Sequence, residues 1–380
     1  MKWPALFLVS MTLIAVVGFS KPGTNQPPKK SDAKIQVAIL LDVSNSMDGL
    51  IEQAKAQLWN MVITLGKAQC TDQTIPKVEV ALYEYGRTNN EQSKGYVKQL
   101  SSFTNDLDSV SKLLFGVNTN GGSEYCGQVI YSSLDELSWD AAPDNYKVIF
   151  IAGNEDFLQG TLHYTKGCDK AKEKGVIVNT IYCGNYEQGI REHWHLVGEC
   201  GNGSYTNINQ DAKEQDIPTP YDSTLVLLNN KLNNTYIGYG AMGSANIARQ
   251  QTVDAMNGYS SNVNAKRIEA KAQKSVYNNS SWDLVDATRA DSSYFAKVDR
   301  KTLPDSLKNK SPKELEQFVK QKTTERDAIQ QEINTVAGNR NQYIATEKAK
   351  AATTNTPTLE SAVEKTIREQ AQRYHMQIRE

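Results

Sequence analysis

From residue 35 onward the chain alternates β-like apolar runs with segments in which apolar residues recur every three or four positions. This alternation is typical of a mostly parallel sheet with helices on both faces. The predicted strands are 35–41, 78–85, 96–100, 147–151, 176–182 and 204–208. We therefore expect an α/β fold in residues 35–210, built on a doubly wound, mostly parallel six-stranded sheet.

Helical patterns lie between these strands. The segment after the first strand carries an apolar stripe at helical spacing, formed by Ile51, Ala54, Leu58, Val62 and Leu65. Asp106 is placed to cap a helix that begins at Leu107, and 124–139 and 166–174 are further helix candidates. Ligands of such sheets bind outside the carboxyl ends of the strands, so the segments after Leu41 and Ile151 are where we expect the chemistry.

After residue 210 the composition shifts toward Asn, Gln, Ala, Lys and Ser, which predicts a mostly helical extension over 211–300 and a helical tail over 301–380. Ser311-Pro312-Lys313-Glu314 matches a capping box. A coiled coil, and an oligomer formed through these helices, stay open because polar residues interrupt a strict heptad. Thr356-Pro357 is predicted to start a last helix with the stripe Leu359, Val363, Ile367, Ala371, Tyr374 and Ile378.

The first twenty residues predict a secretory signal peptide, with Lys2 ahead of an apolar run over 5–19 and small residues at 18 and 20. The rival interpretation is an uncleaved anchor, but the run is shorter than the ~20 residues that span a bilayer. Residues 21–34, rich in Pro, Lys, Gly and Ser, are predicted to be a flexible linker. We expect an exported protein, periplasmic or secreted, with no transmembrane span after the signal is removed.

Composition excludes several classes of protein. Lys and Arg number 42 against 43 Asp and Glu, so the formal net charge of -1 argues against a general nucleic-acid binder. A mean hydropathy of -0.55 excludes a polytopic membrane protein. The five cysteines are Cys70, Cys126, Cys168, Cys183 and Cys200. They allow at most two disulfides, whose pairing the spacing leaves open.

Two loops carry oxygen-rich motifs. Asp42-Val43-Ser44-Asn45-Ser46 follows the first predicted strand at once. Roughly 80 residues later, Gly121-Gly122-Ser123-Glu124 places another hydroxyl at a loop that opens a helix. One carboxylate with several hydroxyls suits Mg²⁺, which keeps water in its ligand shell.

With these motifs, residues 35–210 resemble the von Willebrand factor type A domain. The resemblance implies a metal-ion-dependent adhesion site in which Asp42, Ser44 and Ser46 form the Asp-x-Ser-x-Ser signature and Ser123 takes the second-loop Thr position. It implies bound Mg²⁺ or Mn²⁺. In the third loop, Gly153 stands where the family has an acidic residue, so we expect an incomplete, weak site. We expect Glu155, or Asp156 beside it, to approach the ion through a water.

The segments 149–155, 178–185, 232–240 and 282–287 also resemble secreted bacterial proteins that join such a domain to a helical tail. This resemblance implies no reaction. We expect a non-enzymatic protein-binding or adhesion module, whose partner protein or peptide completes the ligand shell of the ion with a Glu or Asp. Two alternatives stay open: a metal-dependent hydrolase using Glu192, His193 and His195, and an assembly scaffold with a vestigial metal site.

Overall fold

The computed structural model describes residues 1, 33–48, 51–208, 216–351 and 359–379. Of the predicted signal peptide and linker, only residues 1, 33 and 34 are among them. Thr356-Pro357, the predicted start of the last helix, also lies outside the described residues. No described helix is long and apolar enough to cross a membrane.

The six predicted strands form one sheet, and their prediction is confirmed. Their bounds are β1 Lys34–Asp42, β3 Lys77–Tyr85, β4 Lys98–Thr104, β5 Tyr146–Gly153, β6 Ile177–Cys183 and β7 Asn202–Ile208. A short strand, β2 Ala68–Cys70, lies outside this sheet. The order is β4-β3-β1-β5-β6-β7, and only β4 runs antiparallel to its neighbour. The doubly wound, mostly parallel class of fold is therefore observed.

The helices among the strands cover both faces of the sheet. They are α1 Ile51–Gly66, α2 Leu107–Phe115, α3 Cys126–Glu136, α4 Tyr164–Lys174, α5 Tyr186–Arg191 and α6 Trp194–Cys200. Asp106 caps α2 as predicted, with its carboxylate accepting from the Ser109 amide at 3.0 Å. Along β1, Ile39 and Leu41 join the apolar cluster with α1 and α2, whereas Ala38 and Leu40 join that with α3 and α6.

The chain after residue 216 is mostly helical, as predicted. Its helices are α7 Asp222–Asn233, α8 Gly243–Asn257, α9 Ser261–Ala272, α10 Leu284–Ala290, α11 Tyr294–Lys297, α12 Asp305–Lys308, α13 Pro312–Ala351 and α14 Leu359–Gln372. The capping box at the start of α13 is confirmed, because the Ser311 amide donates to Glu314 Oε2 at 2.7 Å and the Glu314 amide donates to Ser311 Oγ at 3.3 Å.

The long helix α13 packs against helices of its own chain, α7, α9, α10 and α11. Its buried residues include Arg326, Ile333 and Arg340. A coiled coil with a second chain would have to use another face of α13, and it stays a prediction.

The predicted final helix is wrong in its last part. The helix α14 ends at Gln372, and Met376–Ile378 form a strand, β8, that pairs antiparallel with β2. His375 has a φ of 57°, a left-handed conformation that takes the chain out of the helix. Ile378 therefore lies on a strand opposite Ala68.

The helix α14 completes the core of the sheet from far along the chain. Val363, Ile367 and Ala371 belong to the same apolar cluster as β1 and α1. Gln370 accepts a hydrogen bond from the Tyr146 hydroxyl of β5 at 2.8 Å. Residues 32–380 form one compact unit, so the core continues across the predicted boundaries near 210 and 300. Those boundaries stay predictions about the order of segments along the chain.

Candidate functional site

The candidate site lies where β1 and β5 end side by side. These strands are neighbours at the point where the strand order reverses, which is where doubly wound sheets bind ligands. Asp42 is the last residue of β1 and Gly153 the last residue of β5. The loops that follow these two strands, with the loop ahead of α3, surround the same edge.

The Asp42 carboxylate is fully buried and only half satisfied. Its Oδ1 accepts a hydrogen bond from the Ser44 amide at 2.8 Å. Its Oδ2 has no hydrogen-bond partner among the described residues. Burial raises the pKa of Asp42 from 3.8 to about 7, and the nearby Glu124 and Glu155 carboxylates add to this shift. A buried carboxylate oxygen without a donor is the kind of atom that a cation would satisfy.

The two serines of the motif lie together. Ser44 Oγ and Ser46 Oγ are 2.7 Å apart, and Ser46 Oγ also donates to Asn154 Oδ1 at 2.8 Å. Asn154 Nδ2 in turn donates a hydrogen bond to the Ser46 carbonyl at 3.3 Å. Asn154 thus joins the first and third loops, a role that the sequence analysis missed.

The second loop is held against the first by its backbone. The Asn120 amide donates to the Val43 carbonyl at 2.8 Å, and the Asn45 amide donates to the Gly121 carbonyl at 3.3 Å. Ser123, which is half-buried, forms an antiparallel bridge with Gly86 just after β3. The structure therefore brings the second-loop serine to the predicted edge of the sheet.

Glu124 is a further carboxylate at this edge that the sequence analysis missed. A Cβ added to Gly86 would lie 2.9 Å from Asp42 Oδ1 and 3.0 Å from Glu124 Cγ, so both side chains lie against the same glycine. Burial and the Glu155 carboxylate raise the pKa of Glu124, whereas a hydrogen bond with Ser44 lowers it. The only sequence signal for Glu124 is its position directly after Ser123.

Gly153 has no space for the acidic side chain that the family resemblance would place there. A Cβ at this position would lie 2.3 Å from Tyr85 Oη and 3.1 Å from Asp42 Oδ2. Tyr85 is fully buried, and its hydroxyl donates to the Ala152 carbonyl at 3.0 Å. The tyrosine hydroxyl therefore fills the position from which a third-loop carboxylate would extend.

Glu155 lies at the same edge and is half-buried. Its Oε2 accepts a hydrogen bond from Gln159 Nε2 at 3.0 Å. Burial, followed by the Glu192 carboxylate, raises the pKa of Glu155. Asp156, the other third-loop candidate, is instead 2.9 Å from His193 Nδ1. Of the two predicted third-loop residues, Glu155 is the one whose charge acts on Asp42.

The run Glu192-His193-Trp194-His195 does not converge on one point. His193 contacts Asp156, His195 Nε2 lies 3.4 Å from Glu199 Oε1, and Glu192 Oε1 accepts from Gln188 Nε2 at 2.8 Å. Within the described residues, no group of three or more His, Cys, Asp or Glu side chains is arranged to hold a metal ion. Any ion at the Asp42 edge would therefore depend on hydroxyls and water as well as on carboxylates.

One disulfide is present among the described cysteines. Cys168 on α4 bonds to Cys200 at the end of α6, 32 residues away. Cys126 and Cys183 are buried thiols, and burial raises the pKa of both. The bridge fastens two helices of one face of the sheet to each other.

No family model matches this chain, and no curated protein matches it. Among solved structures, the pilus adhesin SpaC from Lactobacillus rhamnosus GG is 13% identical, with a TM-score of 0.37 over 48% of this chain and 29% of the adhesin. BatB from Bacteroides thetaiotaomicron is 16% identical, with a TM-score of 0.35 over 47% of this chain and 94% of BatB. A von Willebrand factor type A protein from Catenulispora acidiphila is 12% identical, with a TM-score of 0.34 over 59% of this chain and 43% of that protein. The chain thus spans less than two thirds of the length of the adhesin and of the Catenulispora protein.

Proposed function

We propose that this chain is a non-enzymatic protein-binding module whose carboxyl edge holds a divalent cation weakly and presents it to an acidic side chain of a partner. The observation that carries this proposal is the Asp42 carboxylate, which is fully buried and has an oxygen without a hydrogen-bond partner among the described residues. Burying such an oxygen lowers the stability of the folded chain unless a group from outside the chain interacts with it.

The donors at this edge suit Mg²⁺ or Mn²⁺. Asp42 would ligate directly, Ser44, Ser46 and Ser123 would supply hydroxyl oxygens, and Glu155 would act through water. A divalent ion next to a single direct carboxylate keeps excess positive charge, so it can accept a Glu or Asp from a partner. Because Tyr85 leaves no space for a carboxylate at Gly153, we expect the affinity for the ion to be low.

The disulfide supports an extracytoplasmic location for this module. Bonds of this kind persist in oxidising compartments and are rare in the cytosol. The Cys168–Cys200 bridge therefore agrees with the predicted signal peptide and with a periplasmic or secreted protein.

A scaffold with a vestigial metal site is the second candidate, and the packing of Tyr85 against Gly153 favours it. In that case the loops have only a structural role, through their backbone hydrogen bonds, and partner binding needs no ion. The hydrolase alternative gains no such support, since Glu192, His193 and His195 each contact a different neighbour.

Calorimetric titration with MgCl₂ or MnCl₂ tests the proposal. The wild type should bind the ion weakly, with a Kd on the order of 10⁻³ M, which is the scale of weak extracellular cation modules. The near-isosteric variant Asp42→Asn should abolish binding, because it removes the direct carboxylate. Asp169→Asn on the exposed surface of α4 is the matched control and should bind like the wild type. Equal binding by Asp42→Asn and the wild type would rule out this site.

A pull-down from an envelope extract, with and without chelator, separates the two candidates. The ion-dependent module should lose its partner in chelator and in Asp42→Asn. Retention of the same partner under both conditions would leave the scaffold as the function.

A further inference from the structure

An open pocket of about 630 Å³ lies beside the candidate site, on the side of β4. It is bounded by the end of β3, by β4, by one side of α2 and by α8. Four cationic side chains line it: Arg87, two residues after β3, Lys98 on β4, Lys112 on α2 and Arg249 on α8.

Two of these cations already have partners. Arg87 Nε lies 3.2 Å from Glu84 Oε1, and Arg249 donates to Asp106 Oδ2 at 2.6 Å. Lys98 and Lys112 are exposed, and their ammonium groups have no hydrogen bond or ion pair within the described part of the chain. The pocket therefore has two positive charges in excess, and its two arginines are held in place.

The remainder of the pocket includes apolar surface. Leu100 and Val117 contribute to the lining, and Leu113 on α2 is 39% exposed although it is a leucine. A pocket that combines excess positive charge with apolar surface suits an anion that carries a hydrocarbon stem. An acidic amino-acid side chain is such a group.

The pocket is continuous with the Asp42 edge through two short backbone segments. Gly86 packs against Asp42, and the next residue, Arg87, lines the pocket. The Arg87 guanidinium donates to the Asn118 carbonyl at 2.5 Å, and two residues on, the Asn120 amide donates to the Val43 carbonyl at 2.8 Å. A single extended peptide segment lying over this loop would reach both places.

We propose that this pocket is a second recognition site for the same partner and that it binds a Glu or Asp side chain of an acidic peptide segment through Lys98 and Lys112. This inference rests on the proposed protein-binding function and names the chemistry of the partner. Arg87 and Arg249, fixed by their carboxylate partners Glu84 and Asp106, shape the pocket.

Fluorescence anisotropy with a labelled oligoglutamate peptide tests the pocket. The experiment compares the full chain with Lys98→Ala/Lys112→Ala and with Lys172→Ala/Lys313→Ala, a control that removes two exposed positive charges elsewhere. In chelator and at low salt, the pocket variant should bind about five- to twentyfold more weakly than the wild type, which is the size of two exposed ion pairs. The control variant should stay within about twofold of the wild type. An oligoglutamine peptide of the same length should not bind.

Several results would overturn the inference. They are equal affinity of the pocket variant and the wild type, an equal loss in the control variant, or full competition by inorganic phosphate at matched ionic strength. Because the chelator arm excludes the ion, failure of the metal site leaves this difference between variants intact. If instead the wild type and the pocket variant bind the peptide equally in chelator and Mg²⁺ strengthens binding in both, the pocket fails while the metal site stands.

Discussion

Two clusters of buried charge in the described part of the chain differ in how their charges are matched. At the carboxyl edge of the sheet, Asp42 and Glu124 are buried beside Glu155, whose carboxylate raises the pKa of both. The other cluster, which we call the ionic cluster, lies between α2, α8 and α9 and consists of Asp108, Asp254, Arg267 and Lys271.

In the ionic cluster each carboxylate lies against a cation. Arg267 is 2.7 Å from Asp254 and 2.9 Å from Asp108, and Lys271 is 2.8 Å from Asp254. The Tyr277 hydroxyl donates to the second oxygen of Asp108 at 2.7 Å. These contacts hold the helices after residue 216 against α2.

The pKa values follow from this difference in pairing. Burial acts to raise the pKa of Asp254, but Lys271 and Arg267 outweigh it and hold that pKa below its usual range. At the sheet edge, burial and neighbouring carboxylates act in the same direction, and the pKa of Asp42 rises to about 7. Each carboxylate of the ionic cluster therefore has a cation of the chain itself beside it, whereas among the described residues none of the groups that shift the pKa of Asp42 is a cation.

The largest expected effect comes from breaking the ionic cluster. Arg267→Met should lower the free energy of unfolding by about 3–5 kcal/mol, because it leaves two carboxylates buried without their shared cation. Urea denaturation measures this loss. Arg191→Met on exposed α5 is the control and should change stability by less than about 0.5 kcal/mol. A loss below about 1 kcal/mol in Arg267→Met would show that the charges of this cluster are no better paired than those of the sheet edge.

The next effect is a pH dependence at the sheet edge in the presence of chelator. The folded protein keeps the Asp42 proton up to about pH 7, whereas the unfolded chain releases it near 3.8. The free energy of unfolding should therefore fall by about 2–4 kcal/mol as pH rises through this window. Asp42→Asn should remove most of this slope and leave the part that the raised pKa values of Glu124 and Glu155 contribute, and Mg²⁺ added above pH 7 should restore part of the stability. A slope of unchanged size in Asp42→Asn would mean that a group other than Asp42 causes it.

A smaller effect tests why the third loop has no carboxylate. Gly153→Asp should lower the free energy of unfolding by about 1–3 kcal/mol, because the new aspartate side chain would clash with Tyr85. The double variant Gly153→Asp/Tyr85→Phe should lose less stability than the two single variants lose together. It should also bind Mn²⁺ more tightly than the wild type. Denaturation and calorimetry measure the two effects. Additive losses would mean that the tyrosine hydroxyl does not exclude the carboxylate.

The smallest effect concerns the second loop. Ser123→Ala should weaken Mg²⁺ binding by roughly threefold, the size of one modest polar contact, and should leave stability nearly unchanged. Ser133→Ala serves as a comparison, because Ser133 donates to the Ile130 carbonyl within α3, away from the loop. A loss as large as that of Asp42→Asn would make the hydroxyl of Ser123 an essential ligand.

Local signals predicted much of the fold. The strands could be found because apolar β-like runs are buried between two layers of helices, and the capping residues Asp106 and Ser311 act on amides three residues away. The candidate loops could be located because carboxyl ends of adjacent parallel strands meet at one edge. Glu124 and Asn154 could not be assigned, since their partners come from β1 and the loop that follows it.

The amino-acid sequence by itself determined the elements of this protein and the chemistry available at the end of β1, because propensity, periodicity and capping act over a few residues. The tertiary structure alone decided how distant segments complete one another. It placed α14 against a sheet that begins more than 300 residues earlier, paired β8 with β2, and put Tyr85 in the space beside Gly153. It also gave Asp254 two cations and left Asp42 with none from the groups that shift its pKa. Burial and charge pairing depend on residues far apart in the chain, and spacing along the sequence does not encode them.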